Sequence, residues 1–255
     1  MEIPGKNSAT PSTDPRRSWQ EATLVRSSMA AGNVKTLVFR VPLWIPHQSG
    51  QHYDIRLTSP SGYQAERSYS AASAPEERDV IELGVEILEN GEVSPYLWKL
   101  PEGGQIEIRG PIGGHFVWTH DMPGPLVLIG GGSGMVPLMS MLRHFDRADG
   151  SGRPIIFLVS ARNLDRVLYK EELKALEAKY PNLSVIITLT DEAPPEWQGY
   201  RRRVDGGMLR ETVGKVREGM PMTYICGPTG FVEAVSRELV AEGFAPHLIR
   251  TERFG

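Results

Sequence analysis

One cysteine, Cys226, stands in a chain of 255 residues. A lone thiol closes no intrachain disulfide, holds no four-thiolate iron–sulfur cluster and builds no cysteine-rich zinc site, so any redox chemistry here needs a borrowed cofactor. The six histidines, His47, His52, His115, His120, His144 and His247, contain no HExxH pattern and no short ligand pair, which argues against metal-dependent hydrolysis and leaves no metal site to expect. Ser133 lies in Gly132-Ser133-Gly134 and not in Gly-x-Ser-x-Gly, which disfavours a nucleophile elbow. Neither sign of charge dominates: 28 basic and 31 acidic residues give a net −3, with no global electrostatic case for nucleic acid or an anionic membrane. Apolar runs are a few residues long, as at Leu126 to Ile129, whereas a bilayer span needs about 20. The first 18 residues are rich in Pro, Ser, Thr and Asp and read as a disordered tail. They lack the run of about 7 to 15 apolar residues of a secretory signal, and a mitochondrial presequence would be poor in acids such as Glu2 and Asp14. The cytoplasm is the expected compartment.

What is present is 40% apolar residues in a chain longer than one comfortable core, so two compact units of roughly 100 to 150 residues are expected. From Trp19 to about Trp118, short alternating or β-branched runs fall at Ala22 to Arg26, Thr36 to Val41, Tyr53 to Leu57, Val80 to Ile87 and Gln105 to Arg109. Ala31-Gly32-Asn33, Ser49-Gly50, Ser61-Gly62, Asn90-Gly91 and Gly103-Gly104 punctuate them, the pattern of a small antiparallel barrel or sandwich. One helix is expected there, Val93 to Leu100. After Pro123-Gly124-Pro125 the period changes. Strands at Leu126 to Ile129, Ile155 to Ser160, Leu183 to Leu189, Met222 to Cys226 and His247 to Thr251 alternate with helices near Val136 to His144, Tyr169 to Tyr180, Met208 to Val216 and Gly230 to Glu242. Alternation implies a parallel sheet covered on both faces, with ligands at the carboxyl ends of its strands. The expected division is a 1–18 tail, a 19–122 barrel domain and a 123–255 α/β domain.

Three segments carry candidate chemistry. Leu126 to Pro137 runs from strand through Gly130-Gly131-Gly132-Ser133-Gly134 into a helix, where free amides and the dipole end can meet a pyrophosphate. The usual dinucleotide spacing fails there, the third position being Met135, and a plain tight turn is the competing reading. Met222 to Gly230 ends a later strand in Cys226-Gly227-Pro228, which places the thiol at the same sheet edge; a small buried strand end is the alternative. Glu66 to Ser73 combines Arg67, Tyr69 and several hydroxyls on an extended segment. Alternation puts Arg67 and Tyr69 on one face and Ser68 and Ser70 on the other unless the strand kinks. A fixed cation suits a diphosphate and a flat ring suits stacking; a barrel strand with a surface arginine is the bland alternative.

Arg67-x-Tyr69-Ser70, Gly91-x-Val93-Ser94, Gly110-Pro111-Ile112-Gly113-Gly114-His115-Phe116, the glycine loop and Cys226-Gly227-Pro228 occur in an order and spacing that resemble the ferredoxin–NADP⁺ reductase superfamily, in particular its short bacterial flavin reductase modules. The resemblance covers Trp19 to Gly255. It implies an antiparallel FAD-binding barrel followed by an α/β NAD(P)-binding domain. It implies Arg67 on the FAD pyrophosphate, Tyr69 against the isoalloxazine and Ser70 near flavin N5, with Ser68 and Val85 counted among the cofactor contacts. Gly91, Val93 and Ser94 would supply amides and a hydroxyl to the pyrophosphate, and Gly50-Gln51-His52-Tyr53 would start a structural strand. Gly131, Gly132, Ser133 and Gly134 would admit the nicotinamide dinucleotide, with Cys226, Gly227 and Pro228 beside it. Ser70, Tyr69 and Cys226 are thus the expected catalytic set.

Phe254 is a candidate ring neighbour of the flavin and Glu252 a weaker polar one, against the alternative of a frayed end. In relatives with a fused ferredoxin domain chain continues past this Phe-Gly, so the expected acceptor is a separate ferredoxin or oxygenase component, and the expected form is a monomer. Arg162, with Arg166 and Tyr169, favours NADPH, whereas Asp191 and Glu192 favour NADH. Arg201, Arg202 and Arg203 are either compensating donors or solvated surface. The balance tips to NADH, with NADPH open. The function so implied is an FAD-dependent oxidoreductase taking hydride from NAD(P)H and releasing single electrons. Its competitors are a free flavin or ferric reductase on the same fold and a non-catalytic flavin and pyridine-nucleotide sensor.

Overall fold

The computed structural model describes residues 18–148, 150 and 152–254; all of the expected tail but Ser18 lies outside them. The first half forms β1 (Gln20–Ala31), β2 (Val34–Arg40), β3 (His52–Thr58), β4 (Gln64–Ser70), β5 (Val80–Glu86), α1 (Val93–Lys99) and β6 (Gln105–Ile112). The six strands form one antiparallel sheet in the order β4-β3-β6-β1-β2-β5. Its two ends meet where Ala71 bridges Leu83 and the Ala72 amide donates to the Glu82 carbonyl at 2.8 Å, so the sheet closes on itself. Alternation along each strand sends Leu24, Leu37, Phe39, Tyr53, Ile55 and Leu83 into a shared interior. α1 plugs that interior with Val93 and Leu97, and the Trp98 indole donates to the Val85 carbonyl at 3.0 Å.

The second half forms β7 (Leu126–Gly131), α2 (Met135–Arg147), β8 (Ile155–Ala161), α3 (Lys170–Lys179), β9 (Leu183–Leu189), α4 (Gly206–Thr212), β10 (Met222–Pro228), α5 (Thr229–Ala241) and β11 (Ile249–Phe254). The sheet is parallel throughout, in the order β11-β10-β7-β8-β9. Central β7 is buried along its whole length, as a strand covered on both faces must be. α2 and α3 pack one face, and α4 and α5 the other.

Three elements differ from the expectation. β1 continues to Ala31 because pairing with β2, through two register shifts, carries a Ser-Ser-Met-Ala-Ala stretch of low intrinsic strand preference. The helix expected over Met208 to Val216 divides: Asp205 accepts the Met208 amide at 2.8 Å and caps α4, and a 3-10 turn takes over from Val213 to Gly219. β11 starts at Ile249 and not at His247, because Pro246 to Leu248 form a 3-10 turn.

The two sheets share a core. Val34, Ala72, Phe116 and Trp118, from the first half, lie in one buried cluster with Met135, Leu138, Met139 and Tyr224 of the second. Polar contacts cross at the same place. Ser140 on α2 donates to the Ser73 carbonyl at 2.7 Å, and the Tyr224 hydroxyl donates to the Val117 carbonyl at 2.6 Å. The Arg143 guanidinium donates to the Ala72 carbonyl at 2.9 Å and to Glu82 at 3.1 Å, while its Nε and Nη2 grip both oxygens of Glu172 at 2.7 Å.

Candidate active site in the interdomain cleft

A cleft of about 860 Å³ opens between the carboxyl edge of the parallel sheet and the barrel, within the size range of small-molecule sites. Arg67 on β4, the loop from Glu86 to Gly91, and Asn33 form the barrel wall; Gly131 to Ser133, Arg162, Pro228 and Phe254 form the opposite wall. Motifs up to about 190 residues apart in the chain therefore face one space.

On the barrel side, the register of β4 against β3 sets Arg67 opposite Ile55 and Tyr69 opposite Tyr53, both core positions, and Ser68 and Ser70 opposite Asp54 and His52. The expected alternation holds without a kink. Arg67 is exposed, with one guanidinium N–H donating to the Glu66 carbonyl at 2.7 Å, and among the described residues it makes no ion pair. Tyr69 is half-buried against the barrel core, and that burial raises its hydroxyl to about 12, so it stays a neutral phenol. Ser68 turns away: its hydroxyl donates to Asp54 at 2.7 Å, a carboxylate that Arg109 also holds at 2.7 Å. Val85 is fully buried inside the barrel, and its neighbours Glu86 and Ile87 line the cleft in its place. Gly91 reaches the cleft, whereas Val93 and Ser94 are buried, the Ser94 hydroxyl oxygen accepting the Leu88 amide at 3.1 Å to shape the loop.

On the other wall, β7 runs into a loop of two distinct glycine requirements. A Cβ on Gly134 would strike the Cys226 carbonyl, so glycine here permits contact with the end of β10. Gly132 has φ +57, and a Cβ there would meet nothing within 4 Å: it faces open cleft. Cys226 sits in register between Gly130 and Glu252. It is 2% exposed, belongs to the core cluster that α2 packs and does not line the cleft, whose surface beside it is Pro228. Burial, with the Glu252 carboxylate next to it, pushes this thiol above its usual range, favouring the neutral form. Glu252 is itself pushed up to about 7 by burial. In sequence Glu252 is only a weaker polar candidate, one residue past the expected strand of His247 to Thr251; the structure extends that strand over Ile249–Phe254 and sets Glu252 in register with Cys226.

At the far end, Arg162 and Arg166 line the cleft. Asp191 is exposed and does not line it, though its amide donates to the Arg162 carbonyl at 2.9 Å. Arg201 donates to the carbonyls of Pro194, Pro195 and Trp197, and Arg202 pairs with Asp205 at 2.7 Å, so two of the three consecutive arginines stabilise their own loop. Phe254 closes the cleft, 38% exposed, in register with Pro228. The donor set fits two pyrophosphate-bearing cofactors: cations at both ends, open space over Gly132, and apolar Phe254 beside them. Among the described residues no cluster of His, Cys, Asp or Glu could hold a metal, and no helix is long and apolar enough to cross a membrane.

Family comparisons coincide with the two halves. A model described as an oxidoreductase FAD-binding domain matches residues 21–118, and one described as an oxidoreductase NAD-binding domain matches residues 128–237. A ferredoxin–NADP reductase B of Sorangium cellulosum is 34% identical over 197 residues, covering 75% of this chain and 78% of that protein. The reductase component of a phenol 2-monooxygenase from Pseudomonas sp. strain CF600 is 30% identical over 223 residues, 87% of this chain and 61% of the relative. A component of the Na⁺-translocating NADH-quinone reductase of Haemophilus influenzae is 32% identical over 222 residues, and the chain spans 53% of its length. A solved ferredoxin–NADP⁺ reductase from Neisseria gonorrhoeae with bound FAD and NADP has the same fold, with a TM-score of 0.79 at 19% identity over 92% of this chain and 98% of that one. The chain belongs to the ferredoxin reductase-like superfamily, and the cofactors of its two domains are FAD and a nicotinamide dinucleotide.

Proposed function

We propose that this chain takes hydride from NADH or NADPH onto bound FAD and passes single electrons to a separate protein acceptor, a ferredoxin or an iron–sulfur oxygenase component. The observation that carries this reading is the placement of Arg67 and the open Gly132 turn on opposite walls of one cleft. The relative named as a phenol 2-monooxygenase reductase component supports the choice of acceptor class. When bound, the flavin supplies the exchange between two-electron and one-electron chemistry.

The residues of the chain bind and orient. Arg67, which makes no ion pair among the described residues, offers its guanidinium to a pyrophosphate. Tyr69 presents a neutral phenol on the same face of β4 as Arg67, whereas Ser70 lies with Ser68 on the opposite face at the end of the strand. Gly132 leaves room for the second dinucleotide, while Gly131 admits the Phe231 ring against the strand end, and Arg162 stands where the adenosine end would lie. Cys226 acts as a buried, close-packed support at the end of β10, and Phe254 shields the cleft from water.

The protein as purified is expected to show flavin absorbance and to reduce an artificial acceptor with NADH. A colourless protein that cannot be reconstituted with FAD overturns the reading. Loss of FAD on desalting with retained flavin turnover would place it with free flavin or ferric reductases, and coenzyme binding without flavin bleaching in stopped-flow absorbance would make it a sensor.

A further inference from the structure

Two acids, Glu86 and Glu89, line a cleft whose other charged groups are cations; Glu89 is exposed, whereas Glu86 is half-buried and hydrogen-bonded across the cleft. Glu86 is the last residue of β5, in a space shaped for two polyanions. Both of its oxygens are engaged: Oε1 accepts from the Asn33 amide at 2.7 Å and Oε2 accepts from the Ser133 hydroxyl at 2.6 Å. Asn33 belongs to the β1–β2 turn and Ser133 to the glycine loop of the other domain, so the carboxylate ties the two walls of the cleft together. A carboxylate only accepts, and a serine hydroxyl has one proton. While Glu86 holds that proton, Ser133 has nothing to donate to a phosphate oxygen.

We infer that Glu86 is a resident competitor of the nicotinamide dinucleotide: it occupies the Ser133 proton and places a negative charge at the glycine loop, and coenzyme binding requires the Glu86–Ser133 contact to break. Glu86 is thus a positioning residue that sets coenzyme affinity from the FAD-domain side. This inference rests on the assignment of the glycine loop to the dinucleotide.

Glutamine at this position separates the effects. Its Oε1 can still accept from Asn33, while its amide donates to the Ser133 oxygen and releases the serine proton to a ligand. The wall-to-wall tie survives, and both the charge and the competition disappear. Titration of FAD-loaded wild type and Glu86→Gln with NAD⁺, read by calorimetry, is expected to show about tenfold tighter binding by the variant, equivalent to about 1.4 kcal/mol. In a Ser133→Ala background the same substitution is expected to gain at least threefold less, since no serine proton remains to be freed. An equal or weaker NAD⁺ affinity in Glu86→Gln, with FAD content and melting temperature at wild-type levels, overturns the inference and leaves the proposed function standing. An undiminished gain in the Ser133→Ala background overturns the proton competition. Absence of NAD⁺ binding by both wild type and Glu86→Gln overturns the inference together with the reading of the cleft.

Discussion

Glu252 illustrates how one half-buried residue couples the site to stability. Its carboxyl, ordinarily near 4.5, is raised to about 7 in the fold by burial, so between those values the folded chain keeps a proton that the unfolded chain has lost. Unfolding then releases a proton, and stability falls as pH rises through this window. The penalty is absent below pH 4.5 and complete above about 7. Glu252→Gln is expected to stabilise the protein by about 1–2 kcal/mol at pH 8 and not at pH 4, allowing for partial solvation; equal urea midpoints for the two proteins at pH 8 would contradict this. Arg67 is a simpler case, a cation at the cleft with no ion pair among the described residues. Arg67→Ala is expected to weaken FAD retention by about 1.5–3 kcal/mol, the worth of charge-assisted hydrogen bonds, seen as a lower flavin-to-protein absorbance ratio after desalting. Asp191 tests coenzyme choice: wild type should prefer NADH, and Asp191→Arg should raise relative kcat/KM for NADPH about three- to fivefold, the scale of one exposed ion pair. Residue types were legible in sequence at Arg67, Tyr69 and Gly132. Side-chain direction was not: the sequence does not show that Ser68 turns to Asp54, that Val85 enters the barrel, or that Cys226 is withdrawn from the cleft into the core cluster packed by α2.

At the scale of elements, the strand runs declared themselves because β-branched and aliphatic residues alternate in the barrel and run unbroken in the parallel sheet. The second half of β1 did not, because its Ser and Ala residues are strand only by virtue of β2. The tightest element junction is β7 to α2, where the glycine loop lies against the end of β10. Gly134→Ala forces a methyl into the Cys226 carbonyl and is expected to cost about 2–3 kcal/mol, as overpacking of a buried contact does. Chemical denaturation with an unchanged midpoint would show that the loop relaxes. The meeting of this loop with β10 was foreseeable from parallel topology, since both lie at carboxyl ends; its closeness depends on backbone atoms that carry no sequence signal.

For the whole molecule, the least legible feature is how the halves are joined, because the joining groups lie far apart in the chain. Arg143 and Ala72 are 71 positions apart, and Tyr224 and Val117 are 107. Arg143 holds the buried Glu82 of the barrel and Glu172 of α3 at once, with its side chain 16% exposed. Arg143→Met leaves these acids without their cation and is expected to cost about 3–5 kcal/mol, with unfolding followed by tryptophan fluorescence and far-UV dichroism separating into non-coincident transitions. Coincident, unshifted curves would place the interface energy elsewhere. Phe116 and Trp118, which precede the parallel sheet in the chain yet lie in its core cluster, carry a further consequence. The boundary between cofactor-binding halves is not a boundary between autonomous folding units. A gene bisected near Asp121 would give a barrel with two large aromatics stranded in water and an α/β partner missing part of its interior. Such fragments should aggregate when made singly and recover solubility when made together.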